Sequence, residues 1–286
     1  MSDDFDLTAP EPTRDDFLVV DDPHFHAGTT AIVTGGASGI GRATSLALAL
    51  NDLTVVAADV DEEGLAETAA IAANLDAGGE IVPAVGDLTN DDDVADAVET
   101  AADRGQLRYV ANVAGLQHIS PLPEFPMEKY DLMQDVMVRA PFLLTKLAMP
   151  HVREADDGAG AIANMSSVHG HYATKDKASY ITAKFALRGL TQATAAEGEG
   201  SLRSFSVSVG YVLTPLMVDQ IRDTAEERGI SEREVVEDVM LGQARTKEMM
   251  TPAEVANLFT FGFSRHGRHL DGSDLLWDGG YVLTYE

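Results

Sequence analysis

The sequence predicts an α/β protein: one doubly wound parallel sheet with helices on both faces and a small helical lid. Three observations predict it. Short apolar runs alternate with helical stretches along most of the chain, the pattern of parallel strands joined by crossover helices. A glycine-rich turn, TGGASGIG, follows the first run directly. The residues able to do chemistry fall where predicted strands end, which is the rim where open α/β sheets bind ligands.

Composition sets the outer limits. With 286 residues and 45% hydrophobic content the chain can build a sizeable core. A formal charge of -27 repels phosphate backbones and excludes a nucleic-acid binder. Whole-surface solvation in a salt-rich cytoplasm accounts for such acidity. The absence of Cys removes disulfide and thiol chemistry. No apolar run approaches the roughly 18 residues of a membrane span. The acidic beginning is unlike a signal peptide, so a cytoplasmic location is expected.

Taken in order, residues 1–27 read as an acidic, flexible arm whose apolar patch 17–20 docks on the body or on a neighbouring subunit. Residues 28–286 are expected to form one α/β body. The run 30–33 is the first strand and 42–50 lies in the first helix. Between them Gly35 permits a tight turn, Gly39 lets backbone approach a pyrophosphate, and Gly41 allows close helix–strand packing. The second strand, 53–58, ends at Asp59, about 20 residues beyond the glycines. A carboxylate there accepts hydrogen bonds from a ribose 2′-OH and repels a 2′-phosphate, which favours NAD over NADP. A helix over 62–75, a strand over 81–85 and a helix over 91–104 capped by Asn90 follow. Next come a strand over 107–113 ending in NVAG, a long helix over 130–151 despite Pro141, and a strand over 161–165. A helix over 178–197 and a strand over 204–209 complete the alternation. Asp59, Asp87, Asn112 and Ser167 share one predicted rim with the glycine turn.

The stretch 167–184 carries Ser167, Tyr180 and Lys184. Tyr and Lys at i and i+4 share a helix face. An ammonium near a phenol favours the phenolate and lowers its pKa, so the pair can move a proton to or from an alcohol. Alone, such a pair is commonplace on helix surfaces. Here three of the six Lys in the chain, Lys175, Lys177 and Lys184, fall within ten positions.

TGGASGIG, Asp87-Leu88, NVAG, the Ser–YxxxK set and WDGG near the end together resemble the short-chain dehydrogenase/reductase family, over about 30–280. The resemblance implies a Rossmann-type fold, a CH–OH dehydrogenase activity and a homotetramer. It implies NAD contacts by Gly35, Ser38, Gly39, Ile40, Gly41, Asp59, Asp87, Leu88, Asn112, Ala114, Gly115, Tyr180, Lys184, Val212 and Thr214. Ser167 would hold the reacting oxygen, Tyr180 would be the acid/base, and Lys184 would bind the nicotinamide ribose and tune Tyr180. Asn112 would support the central sheet.

One position departs from the family pattern. Met137 stands where an Asn usually assists a proton relay, and a thioether is at best a weak acceptor. Three readings stay open: a rerouted relay, slow turnover, or a coenzyme-binding protein that has lost its activity.

Within the family the chain is most similar to the D-3-hydroxybutyrate dehydrogenase subfamily. Gln117-His118 after NVAG, the Ser-x-His-Gly motif at 167–170, Lys177, and Gln220 six after Thr214 carry that likeness. It implies that Gln117, His169, Lys177 and Gln220 hold a substrate carboxylate beside Ser167 and Tyr180, so a small anionic substrate is expected. Singly each is ordinary surface polarity; jointly they form a donor set for a small anion. Tyr211 and Val209 differ from the subfamily's Trp and Pro, which leaves substrate length open. Another secondary alcohol or ketone is the rival substrate class. The segment 213–250, with Val235, Val236, Val239 and Met240 at helical spacing, reads as a two-helix lid carrying Gln220; an oligomer contact is the compatible alternative. His24, His26, His151, His266 and His269 lack metal-ligand spacing, and no metal is expected.

Overall fold

The computed structural model describes Leu7 and residues 11–155 and 160–284. Seven strands form one parallel sheet: β1 (Thr29–Thr34), β2 (Thr54–Asp59), β3 (Ile81–Val85), β4 (Gln106–Asn112), β5 (Gly160–Met165), β6 (Leu202–Val209) and β7 (Ser273–Trp277). Their order is β3-β2-β1-β4-β5-β6-β7. After β3 the chain crosses back to the other side of β1, so the strand order reverses between β1 and β4. Connections leave in opposite directions there and open a crevice at the carboxyl ends.

Both sheet faces are covered, which is why β1, β2, β4, β5 and β6 are buried at nearly every position rather than at alternate ones. Ala31, Val33, Val55 and Ala57 point into one core with α1 (Gly39–Leu50) and α9 (Pro252–Phe263). Ile32 and Val56, one residue out of step, point into the other with α3 (Asp91–Arg104) and α5 (Ala140–Arg153). The remaining crossovers are α2 (Glu62–Asn74) and α6 (Ala178–Gly198). Asn90 caps α3 as expected, its side chain accepting from the Asp92 amide at 3.1 Å.

The long helix expected over 130–151 runs from α4 (Met127–Gln134) through a π segment, Asp135–Arg139, into α5. Pro141 has no N–H to offer the Met137 carbonyl, so the ladder changes register just before it; the Ala140 amide reaches back five residues to Asp135.

The lid is present. It comprises α7 (Pro215–Arg228) and α8 (Glu232–Glu234), which continues as a π segment, Val235–Met240. Ile221, Val235, Val236, Met240 and Leu241 give it a core of its own, and Leu7 is buried in the same cluster. Its base is tied where the Leu213 amide donates to the Met250 carbonyl (2.8 Å) and Met250 donates to Tyr211 (3.0 Å).

Of the arm expected over 1–27, the apolar patch 17–20 docks on the body as expected, and Phe25 docks as well, so residues 11–27 are held rather than flexible; the rest apart from Leu7 lies outside the described residues. Phe17 and Phe25 are buried in the main core, and Phe25 sits edge-on to Tyr109 at 5.7 Å. Leu18 is held on both sides, its amide donating to Asn257 (2.7 Å) and its carbonyl accepting from Asn51 (2.8 Å). Acidic composition disguised a short docked segment, because two aromatic anchors and a few backbone bonds suffice to fix it.

Candidate active site

The carboxyl ends of the central strands open onto a cleft of about 510 Å³. Gly35, Ser38, Gly39, Ile40, Asp59, Asp87, Leu88, Ala114, Gly115, Tyr180, Lys184, Val212 and Thr214 all line it, as do Ser167 and Gln117. Local sequence puts them there: each group follows a strand that ends on this rim.

The glycine turn leaves β1 with Gly35 at φ +73° and Gly39 at φ +52°, a region L-residues rarely occupy. Ser38, at the N-cap of α1, makes no side-chain capping bond. The first amides of the helix therefore remain for a ligand, and a helix N-terminus suits a pyrophosphate. Gly41 lies beneath the turn rather than on the cleft wall: a Cβ there would stand 2.0 Å from the Gly35 carbonyl oxygen. At the end of β2, Asp59 accepts from the Ala37 amide at 3.1 Å and the Asp61 amide at 3.2 Å. These bonds aim the carboxylate along the turn and into the cleft. No cation competes openly for that spot from α1, because Arg42 is spent on Glu67 and the Ala37 carbonyl, each at 2.5 Å.

Asn112 does not line the cleft. It is buried, donating at 2.9 Å to Asn164, its register partner on β5. Asn164 in turn donates to Thr191 on α6 at 2.9 Å. The NVAG loop is fixed by Thr34, whose hydroxyl accepts from the Val113 and Ala114 amides at 3.0 and 3.1 Å.

Ser167, Tyr180 and Lys184 converge. Lys184 Nζ lies 5.2 Å from the Tyr180 ring centroid and donates to the Met165 carbonyl at 2.7 Å. Burial brings Lys184 down to about 8. The sequence expectation for Tyr180 needs correction. Burial pushes its phenol up, and a hydrogen bond with Ser167 opposes this. Desolvation of the phenolate is the larger of these two effects, and the Lys184 ammonium, held by the Met165 carbonyl, is itself desolvated. Met137 is fully buried beside Met133 and Ala183, with Tyr180 packed on the same cluster, so apolar atoms fill the place of the usual relay residue.

The expected carboxylate donors are only partly assembled. Gln117 lines the cleft with its Nε2 buried and without an acceptor. His169, Lys177 and Gln220 do not line it. His169 lies behind Tyr180, ring centroids 5.8 Å apart, with Nε2 3.1 Å from the Thr174 hydroxyl. Burial, then the charge of Lys177, lower it to about 4, so it stands as a neutral imidazole. Burial brings Lys177 to about 8. On α7 it is Leu216 and Met217 that face the cleft and Ile221 that faces the lid core, which turns Gln220 aside. Leu116, Leu132, Val136, Leu216 and Met217 are lining residues that motif reading missed. Each is an ordinary apolar helix or loop residue, and only packing selects it. Among the described residues no cluster of three His, Cys, Asp or Glu could hold a metal. No described helix is long and apolar enough to cross a membrane.

The site therefore offers a Gly-lined, Asp-ended trough for a dinucleotide and, at its far end, a proton-transfer group against apolar walls. Known proteins agree with that reading. The sequence pattern of the short chain dehydrogenase family matches residues 29–225. A D-beta-hydroxybutyrate dehydrogenase of Rhizobium meliloti (strain 1021) is 33% identical over 260 residues, 88% of this chain and 98% of the relative. A D-beta-hydroxybutyrate dehydrogenase of Cupriavidus necator is 30% identical, over 89% and 98% of the two chains. The solved L-sorbose reductase of Gluconobacter frateurii, complexed with NADPH and L-sorbose, superposes with a TM-score of 0.84 at 24% identity, covering 92% and 99%. That last likeness speaks to the fold alone. Fold, trough, proton-transfer group and relatives lead to one conclusion: the chain belongs to the short chain dehydrogenase family, oxidoreductases acting on CH–OH groups.

Proposed function

We propose that the protein is an NAD-dependent dehydrogenase interconverting a small 3-hydroxy acid and its 3-oxo acid, with 3-hydroxybutyrate and acetoacetate the best pair. The observation that carries the substrate class is Gln117, a buried donor on the cleft wall lacking an acceptor. An unmet buried donor is costly, and a carboxylate oxygen satisfies it. The two relatives named D-beta-hydroxybutyrate dehydrogenase support the same reading. His169 stands close behind Tyr180 and Lys177 near His169, and a movement of the lid would bring Gln220 toward an anion there.

Bound NAD supplies the hydride acceptor. The chain's residues do the rest. The glycine turn and the α1 amides hold the pyrophosphate, Asp59 takes the adenosine ribose, and Lys184 takes the nicotinamide ribose. Ser167 steadies the substrate oxygen, and Tyr180 removes its proton in oxidation or returns it in reduction. Fixing the carboxylate at one end and the oxygen at the other turns a flexible four-carbon chain into a near-attack conformer. With Met137 apolar, the relay beyond Tyr180 passes through water rather than a side-chain amide.

The test is NAD reduction with D-3-hydroxybutyrate in low and in molar salt, beside neutral secondary alcohols. Turnover that requires the carboxylate supports the proposal. Equal turnover of neutral alcohols would assign a different alcohol, and NADH binding with no turnover of any hydroxy acid would leave a non-catalytic coenzyme binder.

Two further outcomes are expected. Lys177→Ala raises KM for the hydroxy acid about 10- to 100-fold with a smaller change in kcat, the loss of one charge-assisted bond. Because Lys177 loses its proton as pH rises through about 8, wild-type KM climbs above that pH. KM of the variant stays flat there, and initial-rate profiles from pH 6 to 10 check both. Asp59→Ala raises the NADP-to-NAD ratio of kcat/KM about tenfold or more, since a carboxylate no longer opposes the 2′-phosphate. An unchanged ratio would remove Asp59 from coenzyme choice.

The assembly proposed is a cytoplasmic homotetramer. Support comes from an apolar groove between α5 and α6, lined by Val138, Phe142, Leu187 and Leu190. Phe142 is 61% exposed beside it, and a second copy of the chain would cover such a face.

A further inference from the structure

The turn that carries Ser167 is bolted to the sheet by a buried polar cluster that none of the motifs includes. Ser167 starts a short 3-10 turn, Val168–Gly170, and its hydroxyl accepts from the His169 amide at 3.2 Å. The far end of the turn is His171, whose Nε2 lies 2.8 Å from Asp274 Oδ2. Asp274 is on β7, more than a hundred residues away in sequence. Its other oxygen accepts from the hydroxyls of Ser206 at 2.5 Å and Ser208 at 2.8 Å. Those two serines lie two apart on β6, so both face the same side of the sheet, and Ser206 is the register partner of Asp274.

The side chains of His171 and Asp274 are only 15% and 13% exposed. A buried hydrogen bond between an imidazole and a carboxylate is a poor source of net stability, because desolvation offsets most of its attraction. Its value lies in direction: three donors converge on one carboxylate and allow His171 a single placement. That placement matters because His171 lies between His169 and Tyr172. Those two rings stack at 5.2 Å, and His169 meets the Tyr180 ring at 5.8 Å. Shifting His171 therefore shifts Ser167 on one side and the ring behind Tyr180 on the other. The opposite side of the turn is held separately, by Arg188 donating to the Gly170 carbonyl at 2.7 Å and by the Ser166 hydroxyl on the Lys184 carbonyl at 3.0 Å.

We propose that Asp274 and His171 are positioning residues: through the 167–172 turn they set Ser167 and His169 against Tyr180. The inference rests on Ser167, Tyr180 and Lys184 being the reacting set. Neither residue lines the cleft, so each acts through the turn and leaves the coenzyme trough untouched.

The experiment uses the full chain carrying Asp274→Ala, His171→Leu, the double variant, and His171→Gln, which retains a donor toward Asp274. Expected for each single disruptive variant is a kcat at least tenfold lower on the alcohol that wild type turns over, with KM for coenzyme within twofold. The double variant is expected to be no worse than the poorer single one, because both break the same link. His171→Gln recovers at least half of the wild-type kcat. A kcat within twofold of wild type in Asp274→Ala, or equal losses in coenzyme affinity and kcat, overturns the proposal. Hydrogen exchange gives an arm independent of the substrate and of the reacting set. Amides of 168–172 exchange at least tenfold faster in Asp274→Ala while those of β1 and β4 do not change. Unchanged exchange in the turn overturns the proposal even if no alcohol is turned over. Faster exchange without an active substrate keeps the bolt and places the failure in the reading of the reacting set.

Discussion

Tyr180→Phe is expected to lower kcat by about 10²- to 10⁴-fold, the usual contribution of a positioned acid or base, while NADH still binds. The phenol is the group at the reacting end of the cleft that both touches the lining surface and hydrogen-bonds Ser167. Phe keeps the ring against His169 and the Met137 cluster, so packing survives and only proton transfer is lost. Coenzyme fluorescence titration beside steady-state rates separates the two. The wild-type pH profile carries a sign. Burial raises the Tyr180 pKa, so at neutral pH the proton sits on the phenol. That is the form needed to reduce a ketone; oxidation needs the phenolate. Oxidation rates are therefore expected to rise with pH through the neutral range, and reduction rates to fall only at higher pH. A Tyr180→Phe protein with a kcat near wild type would remove Tyr180 from the chemistry and reopen the question posed by Met137.

Gly41→Ala is the second large effect, and it acts at the other end of the cleft. The new Cβ would lie 2.0 Å from the Gly35 carbonyl oxygen and 2.5 Å from its carbon. Both are backbone atoms of the turn itself, so no side-chain rotation relieves the overlap. Either α1 moves off the sheet or the turn opens, and either one misplaces the amides that face the cleft. Overpacking of this kind costs about 1–3 kcal/mol. The expected result is a lower Tm together with NADH binding weakened at least tenfold. Gly115→Ala makes the useful contrast. Its Cβ would meet nothing closer than 3.8 Å, with Lys184 Nζ at 3.9 Å, so the fold accommodates it. The methyl instead occupies the cleft wall beside Lys184, and Tm stays near wild type while coenzyme binding weakens. Equal behaviour of the two variants would show that the turn is more pliable than its geometry implies.

Much of the fold was legible because it is locally written. A parallel strand covered on both faces is buried along its length and carries long apolar runs, and β1, β2, β4 and β5 are buried at nearly every position. Helix starts follow from residues such as Asn90 and Thr214, whose side chains accept from amides a turn ahead. The rim position of Asp59, Ser167 and the glycine turn follows from their place just beyond strands. Less legible were segments whose placement depends on distant partners. Residues 11–27 look mobile by composition, yet Phe17 and Phe25 join a core that also takes in Tyr109, Phe259 and Phe263. Gln220 has the spacing of a substrate donor, but the lid core turns α7 so that Met217 and Leu216 face inward instead.

Local pattern alone specifies the parallel α/β architecture, the glycine turn with its acidic end-stop at Asp59, and the Ser167, Tyr180, Lys184 set. Each is encoded by spacing within one strand, turn or helix. How those groups are tuned and held depends on long-range packing. Spacing predicts that Lys184 lowers the Tyr180 pKa; burial, which depends on everything packed around the pair, raises it. No local pattern joins His171 to Asp274, because the two meet only after β7 docks beside β6. Desolvation and long-range contact are properties of the packed chain, and these two properties set the chemistry of the site.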